Sequence, residues 1–207
     1  MDDAAVQELV AAAQRGDPDA FGRIFDLYHR PLYRYIASRV GRPSDAEDLT
    51  QVVFVKALEA LPRYEPRGAP FGGWLFKLAR NTVIDFIRSQ RPEVDLEAIE
   101  GRPDATVDPD ERLASEQELA ALRVALGRLT PDQREAIALR YFAGLSAREA
   151  AVAMGRQEGT IRGLTFRAIA ALRRELAGMG EPHEPGRSGD RPRVAPDSDE
   201  ERERQRP

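Results

Sequence analysis

Apolar residues recur at helical spacing in two separate blocks of this 207-residue chain, and neither block shows the sustained alternation of a strand. In the first block Phe21, Ile24, Phe25, Tyr28, Leu32, Tyr35 and Ile36 follow Asp17 and Pro18, an N-cap residue and a proline at the first helical position. Pro31 falls inside that run and predicts a kink or a split. A second helix is expected from Ser44, with Glu47 completing a capping box and Leu49, Val53, Leu58 and Leu61 carried to Pro62. Residues 62–73, rich in Pro, Gly and Arg, predict a loop. A long helix is then expected from about Trp74 to Ser89, with Leu75, Leu78, Ala79, Val83, Phe86 and Ile87 inward.

The period fails from Arg91 to about Asp110, where Gly101, Pro103, Pro109 and a run of carboxylates predict an extended linker. Helices resume near Glu111 and run to Gly127. Thr130 and Gln133 form a capping box around Pro131, opening a helix that bears Ile137, Leu139 and Tyr141. Ser146 and Glu149 cap a short helix ending near Met154 and Gly155, and the last helix spans about Gln157 to Leu176. In the stretch from Gly180 onward Val194 is the only large apolar residue, so a disordered tail is expected beyond Gly178. The fold class is therefore all-α: a helical domain over 1–91, an acidic flexible linker over 92–110, a second helical domain over 111–177 and a tail over 178–207.

Composition removes several function classes. The chain has no cysteine, hence no disulfide and no thiolate zinc site, and His29 and His183 lie far apart in sequence. With no nucleophile–base pair and no ligand cluster, an enzyme of any class, a metal site, a cofactor or a small-molecule substrate is not expected. The acidic, amphipathic start is unlike a signal peptide, and no run of apolar residues is long enough to span a bilayer, which points to the cytoplasm without membrane insertion. The net charge of −4 hides segregation. Residues 92–113 carry eight acidic side chains against two basic, whereas 114–176 carry ten basic against seven acidic. Overall charge is a poor guide to partners here.

The segment from Leu145 to Leu176 reads as a DNA-binding helix-turn-helix. A short capped helix, a tight turn at Gly155 and a longer helix with Arg162, Arg167, Arg173 and Arg174 have the required dimensions. Ala150, Ala151 and Ala153 permit close approach, and Ile161, Ile169, Leu172 and Leu176 supply the apolar stripe. Arginines on the first turns of the second helix could pair bidentately with guanine. A plain helical hairpin with a solvated basic face is the alternative that this segment alone leaves open.

The context narrows that choice. The run DAEDLTQ at 45–51, Phe54, and GWLFKLARN at 73–81 resemble region 2 of a sigma-70 family RNA polymerase sigma factor. LTPDQRE at 129–135, Tyr141, GLS at 144–146 and GTIR at 159–162 resemble region 4 of the same family. An acidic linker where larger sigma factors carry a further domain is similar to the extracytoplasmic-function (ECF) subfamily.

This resemblance implies a promoter-specificity subunit that binds core RNA polymerase and promoter DNA. Asp48 and Gln51, with Asp45 and Glu47 beside them, would dock on the β′ coiled coil, and the second domain on the β flap. Asp45 and Glu47 also complement the helix N-terminus, at about 0.3–1 kcal/mol each. Val52 stands where the family usually has a carboxylate. The −10 element would be met by Phe71 and Trp74, which offer ring faces to an extruded base, and by Arg80, Asn81, Asp85 and Arg88 along the exposed strand. A core role for Trp74 is the competing account, whereas Asn81 is a poor mid-helix residue without work for its side chain. The −35 element would be read by Arg162 and Arg167, with Phe166 near the DNA backbone. Gly163 and Leu164 depart from the family's usual Ser-Arg, which predicts weaker or altered −35 reading. The linker either follows a basic RNA channel of the polymerase or is a solvated spacer. An anti-sigma factor is a further partner that the resemblance implies.

Overall fold

The computed structural model describes residues 3–66, 68–90 and 116–179. The expected linker over 92–110 lies outside the described residues, as does the tail beyond Met179. Among the described residues there is no strand, in keeping with the all-α reading. No helix is long and apolar enough to cross a membrane.

The first module consists of α1 (Asp3–Gln14), α2 (Pro18–Ala37), α3 (Pro43–Ala60), a 3-10 turn (Leu61–Arg63) and α4 (Phe71–Ser89). Asp17 caps α2 as expected, accepting from the Asp19 and Ala20 amides at 3.0 and 3.2 Å. The helix runs unbroken through Pro31. Tyr28, Leu32, Tyr35 and Ile36, on both sides of the proline, are almost completely buried. At about 1.5–3 kcal/mol for each such side chain, their burial outweighs the roughly 3 kcal/mol cost of an interior proline.

Two expected boundaries move. Helix α3 starts at Pro43 behind an Arg42 N-cap that makes no side-chain cap bond. The proline's preset φ suits the first helical position. Ser44 therefore sits in the first turn, and the Ser44–Glu47 capping box is not the helix start. Helix α4 begins at Phe71, three residues before Trp74, and takes in Gly72 and Gly73, which the sequence reading left in a loop. Two glycines cost a helix about 1 kcal/mol each, but both are buried against the second module. Leu58, expected inward, is 52 % exposed on α3. Gln14 ties α1 to the end of α3 by donating to the carbonyls of Leu61 and Tyr64 at 2.9 and 2.7 Å.

The second module comprises α5 (Glu116–Gly127), α6 (Pro131–Ile137) continuing into a π turn (Ala138–Phe142), α7 (Ala147–Met154) and α8 (Glu158–Met179). Both expected capping boxes form. Thr130 Oγ1 accepts from the Gln133 amide while the Gln133 side chain accepts from the Thr130 amide. Ser146 and Glu149 exchange the same pair of bonds at 3.1 and 2.8 Å. Gly155 ends α7 with φ 62°, the left-handed geometry that glycine adopts without a Cβ penalty.

Leu126, Leu129, Ile137 and Ala168 form a core within this module, with Ile169 and Leu172 packed against it, whereas Leu176 is 38 % exposed at the far end of α8. The larger core is shared. It runs from Ile24, Tyr35 and Phe76 of the first module to Leu139, Ala150 and Ile161 of the second. The two blocks, read from sequence as separate domains, are packed face to face through α4 and α7.

Candidate nucleic-acid interface

The residues expected to meet the −35 element lie on helix α8. Arg162, Phe166 and Arg167 are all exposed, and Phe166 is 75 % exposed, far more than an aromatic ring kept for packing would be. Arg162 is held by Glu158 one turn earlier at 2.5 Å, an exposed i,i+4 pair worth about 0.3–0.5 kcal/mol, which a phosphate or guanine could readily displace. The Arg167 guanidinium lies over Gly163, where an added Cβ would meet it at 3.6 Å. Leu164 is 8 % exposed and belongs to the core. In this arrangement the departure from Ser-Arg at 164 faces inward, leaving Gly163 as the change on the outer surface.

On α4 the expected residues divide. Asn81, Asp85 and Arg88, at i, i+4 and i+7, share one exposed polar face. Trp74 is half-buried, its ring 4.8 Å from that of Tyr64 and 5.3 Å from that of Phe71. Phe71 is fully buried, edge-on to Tyr28 and Tyr64 at 5.6 and 5.4 Å. It therefore stands behind the Trp74–Tyr64 pair as packing and offers no free face to a base, which corrects the expectation for that residue. Burial holds Tyr64 and Tyr28 above the ordinary phenol range, so both stay neutral hydrogen-bonding groups.

Arg80 does not point to solvent along the Asn81 face. It turns to Glu135 of α6, with Nε 3.6 Å from Oε1. The same carboxylate accepts a 2.7 Å hydrogen bond from the Tyr35 hydroxyl and lies 3.4 Å from Arg39 Nη2. Glu135 is 5 % exposed. Burial, then the neighbouring carboxylate, keeps the Tyr35 phenol protonated well above its usual range, so it is a permanent donor.

The residues expected to dock on polymerase lie on α3. Glu47, Asp48 and Gln51 are exposed and Asp45 is half-buried. Beside them Val52 and Val55 are 41 % and 56 % exposed. With Asp48, Gln51 and Lys56 they line a shallow depression of about 510 Å³. The acidic strip thus continues into an apolar one, which the sequence reading missed because it assigned Leu58 to the core and gave Val55 no place.

The Glu135 cluster and the Gly72–Gly73 contact were also missed. A carboxylate directly before Ala136, Ile137, Ala138 and Leu139, and a paired glycine at the start of an otherwise regular helix, are the signals that could have found them. Among the described residues no group of acidic and histidine side chains could hold a metal ion.

Two packed helical modules, the second a helix-turn-helix whose first helix is capped at both ends and whose second exposes arginines, make up the described residues. The sigma-70 region 2 family matches residues 24–93 and the sigma-70 region 4 family residues 119–172. The chain is 41 % identical over 177 residues to the ECF RNA polymerase sigma factor BldN of Streptomyces coelicolor, covering 84 % of this chain and 67 % of that protein. It is 35 % identical over 175 residues to ShbA of Streptomyces griseus, also an ECF RNA polymerase sigma factor, covering 80 % of this chain and 92 % of that protein.

Among solved structures, CnrH in complex with the cytosolic domain of CnrY superposes with a TM-score of 0.64 at 29 % identity, over 84 % of this chain and 98 % of that one. The sigma factor RpoE in complex with the anti-sigma factor NepR from Bartonella quintana gives 0.58 at 27 %, over 78 % and 98 %. The chain belongs to the ECF RNA polymerase sigma factors of the sigma-70 family. Its function is promoter-directed initiation of transcription.

Proposed function

We propose that the chain works as a two-part promoter clamp attached to core RNA polymerase, with 1–91 and 111–177 as its working units. Asp48 and Gln51 make the central docking contacts on the β′ coiled coil, flanked by Asp45 and Glu47, and the exposed Val52 and Val55 extend that contact with apolar area. The second module meets the β flap. Helix α8 enters the major groove of the −35 element, with Arg162 and Arg167 reading bases or phosphates and Phe166 against the backbone. The α4 face with Asn81, Asp85 and Arg88 follows the −10 strand, and the half-buried Trp74, seven residues before Asn81 on the same helix, receives an unstacked base.

The observation that carries this reading is the outward triad Arg162, Phe166 and Arg167 on a helix-turn-helix whose first helix is capped at both ends. The chain catalyses nothing. Strand opening draws on binding energy and on holding the separated strand, and it acts in the cytoplasm without cofactor or metal. The complex of RpoE with an anti-sigma factor supports such a protein as a further partner here.

Transcription from a promoter library by purified core polymerase, with and without the chain, tests the proposal. Initiation at a shared pair of −35 and −10 sequences only when the chain is added is the expected result. Initiation that is the same without the chain would remove the reading.

A further inference from the structure

Helix α8 carries a glycine at 163 for which the fold itself has no use. Gly163 lies in the helix interior, where glycine is a poorer helix former than any residue but proline. Its φ is not positive, unlike that of Gly155. No other element excludes a side chain there, as Val152 does at Gly73. The three atoms nearest to a Cβ added at 163 all belong to the Arg167 guanidinium, Nη1 at 3.6 Å, Nη2 at 3.8 Å and Cζ at 3.9 Å.

That contact sets the reach of Arg167. Long side chains on a helix lean toward its N-terminus, and four residues span about 6 Å along the axis. The Arg167 guanidinium therefore lies level with the second turn of α8, although its Cα belongs to the third. Arg162 leans the same way, to Glu158 in the first turn. Arg167 itself has no hydrogen bond or ion pair among the described residues, so its donors are open to a ligand. Leu164 is in the core and adds nothing to the outer surface. In a helix-turn-helix the first turns of the second helix meet base edges. The paired N–H donors of an arginine fit O6 and N7 of guanine.

We propose that Gly163 is a specificity-determining residue for the −35 element: its bare turn lets Arg167 reach a guanine edge that a side chain at 163 would deny it. The inference rests on the assignment of α8 to that element. The space a side chain at 163 would fill is taken by the guanidinium from the next turn. Base choice at that position belongs to Gly163 and Arg167 as a pair, with the glycine deciding where the arginine is aimed.

The test uses the full chain with core polymerase, initiating from promoters in which each −35 base pair is replaced in turn. Gly163→Val puts two further carbons beyond the Cβ into the space of the guanidinium, whereas Gly163→Ala adds only the Cβ, at ordinary contact distance. Alanine and valine are both better helix formers than glycine, so each chain should fold. The parent is expected to prefer guanine at one −35 base pair by about tenfold. Gly163→Val should lose that preference and Gly163→Ala should lose less of it. Arg167→Ala should lose it at the same base pair, and combining Arg167→Ala with Gly163→Val should cost nothing more. Losses at different base pairs, an additive double variant, or a Gly163→Val profile like that of the parent would overturn the role of Gly163. So would equal losses at every base pair with both Gly163 substitutions, which would mean that the DNA backbone approaches the bare turn. Arg162→Ala separates these results from failure of the underlying assignment. If neither Arg162→Ala nor Arg167→Ala changes the −35 profile, α8 does not read that element and the role of Gly163 falls with it.

Discussion

Gly73 of α4 and Val152 of α7 lie so close that a Cβ on the glycine would come within 2.7 Å of the valine's own Cβ. Overpacking of this kind costs typically about 1–3 kcal/mol. Gly73→Ala should therefore lower the urea midpoint of the full chain, and Val152→Ala in the same chain should return part of the loss. A double-mutant cycle from urea unfolding measures the coupling. Strictly additive effects would mean that the two helices are not in contact in solution.

Docking makes a separate demand on α3. Asp48 is exposed and takes part in no cap or core, so Asp48→Lys should leave helix content and duplex DNA binding unchanged. It should abolish promoter-directed initiation with core polymerase by reversing the charge at the centre of the docking strip. Retained initiation would move the docking site elsewhere.

Ser146 secures the first helix of the reading module by accepting from the Glu149 amide. Replacing a capping serine with alanine costs typically about 1 kcal/mol. Ser146→Ala should therefore lower the thermal midpoint while Gly155, which already supplies the left-handed turn, keeps the helix-turn-helix geometry. Circular dichroism melting checks the first part. A midpoint unchanged by the substitution would show that the cap carries no weight.

Arg167 is exposed and unhindered apart from Gly163. If it neutralises a phosphate, Arg167→Ala should reduce the slope of log binding constant against log salt concentration by about 1. If it reads a base, the loss should be sequence-selective, at about 1–3 kcal/mol. Titrations of −35 duplexes at several salt concentrations separate the two roles, and no change in either quantity would remove Arg167 from the interface.

Local signals read best from the sequence. Asp17, Thr130, Ser146 and Gly155 each act within a few residues of chain, and each sits where it was expected. Features decided by a partner distant in sequence read worst. Gly72 and Gly73 look like helix breakers until α7 is laid against them, because the contact that repays their conformational freedom comes from Glu149 and Val152. Phe71 looked like a base-stacking face for the same reason, since the rings of Tyr28 and Tyr64 that enclose it come from elsewhere in the module. Arg80 was identifiable as a basic residue on the right helix, but its present partner lies 55 positions away at Glu135. The family motifs named the modules and left their mutual packing unspecified, because that packing depends on Tyr35, Arg39 and the glycine pair.

The two-part clamp is tested most directly by scanning every base of both promoter elements in transcription reactions with the parent chain, Asn81→Ala and Arg162→Ala. Base preference is expected to change only within the −10 element for Asn81→Ala and only within the −35 element for Arg162→Ala. Preferences that change at both elements with either substitution, or at neither, would contradict the assignment of α4 and α8 to separate halves of the promoter.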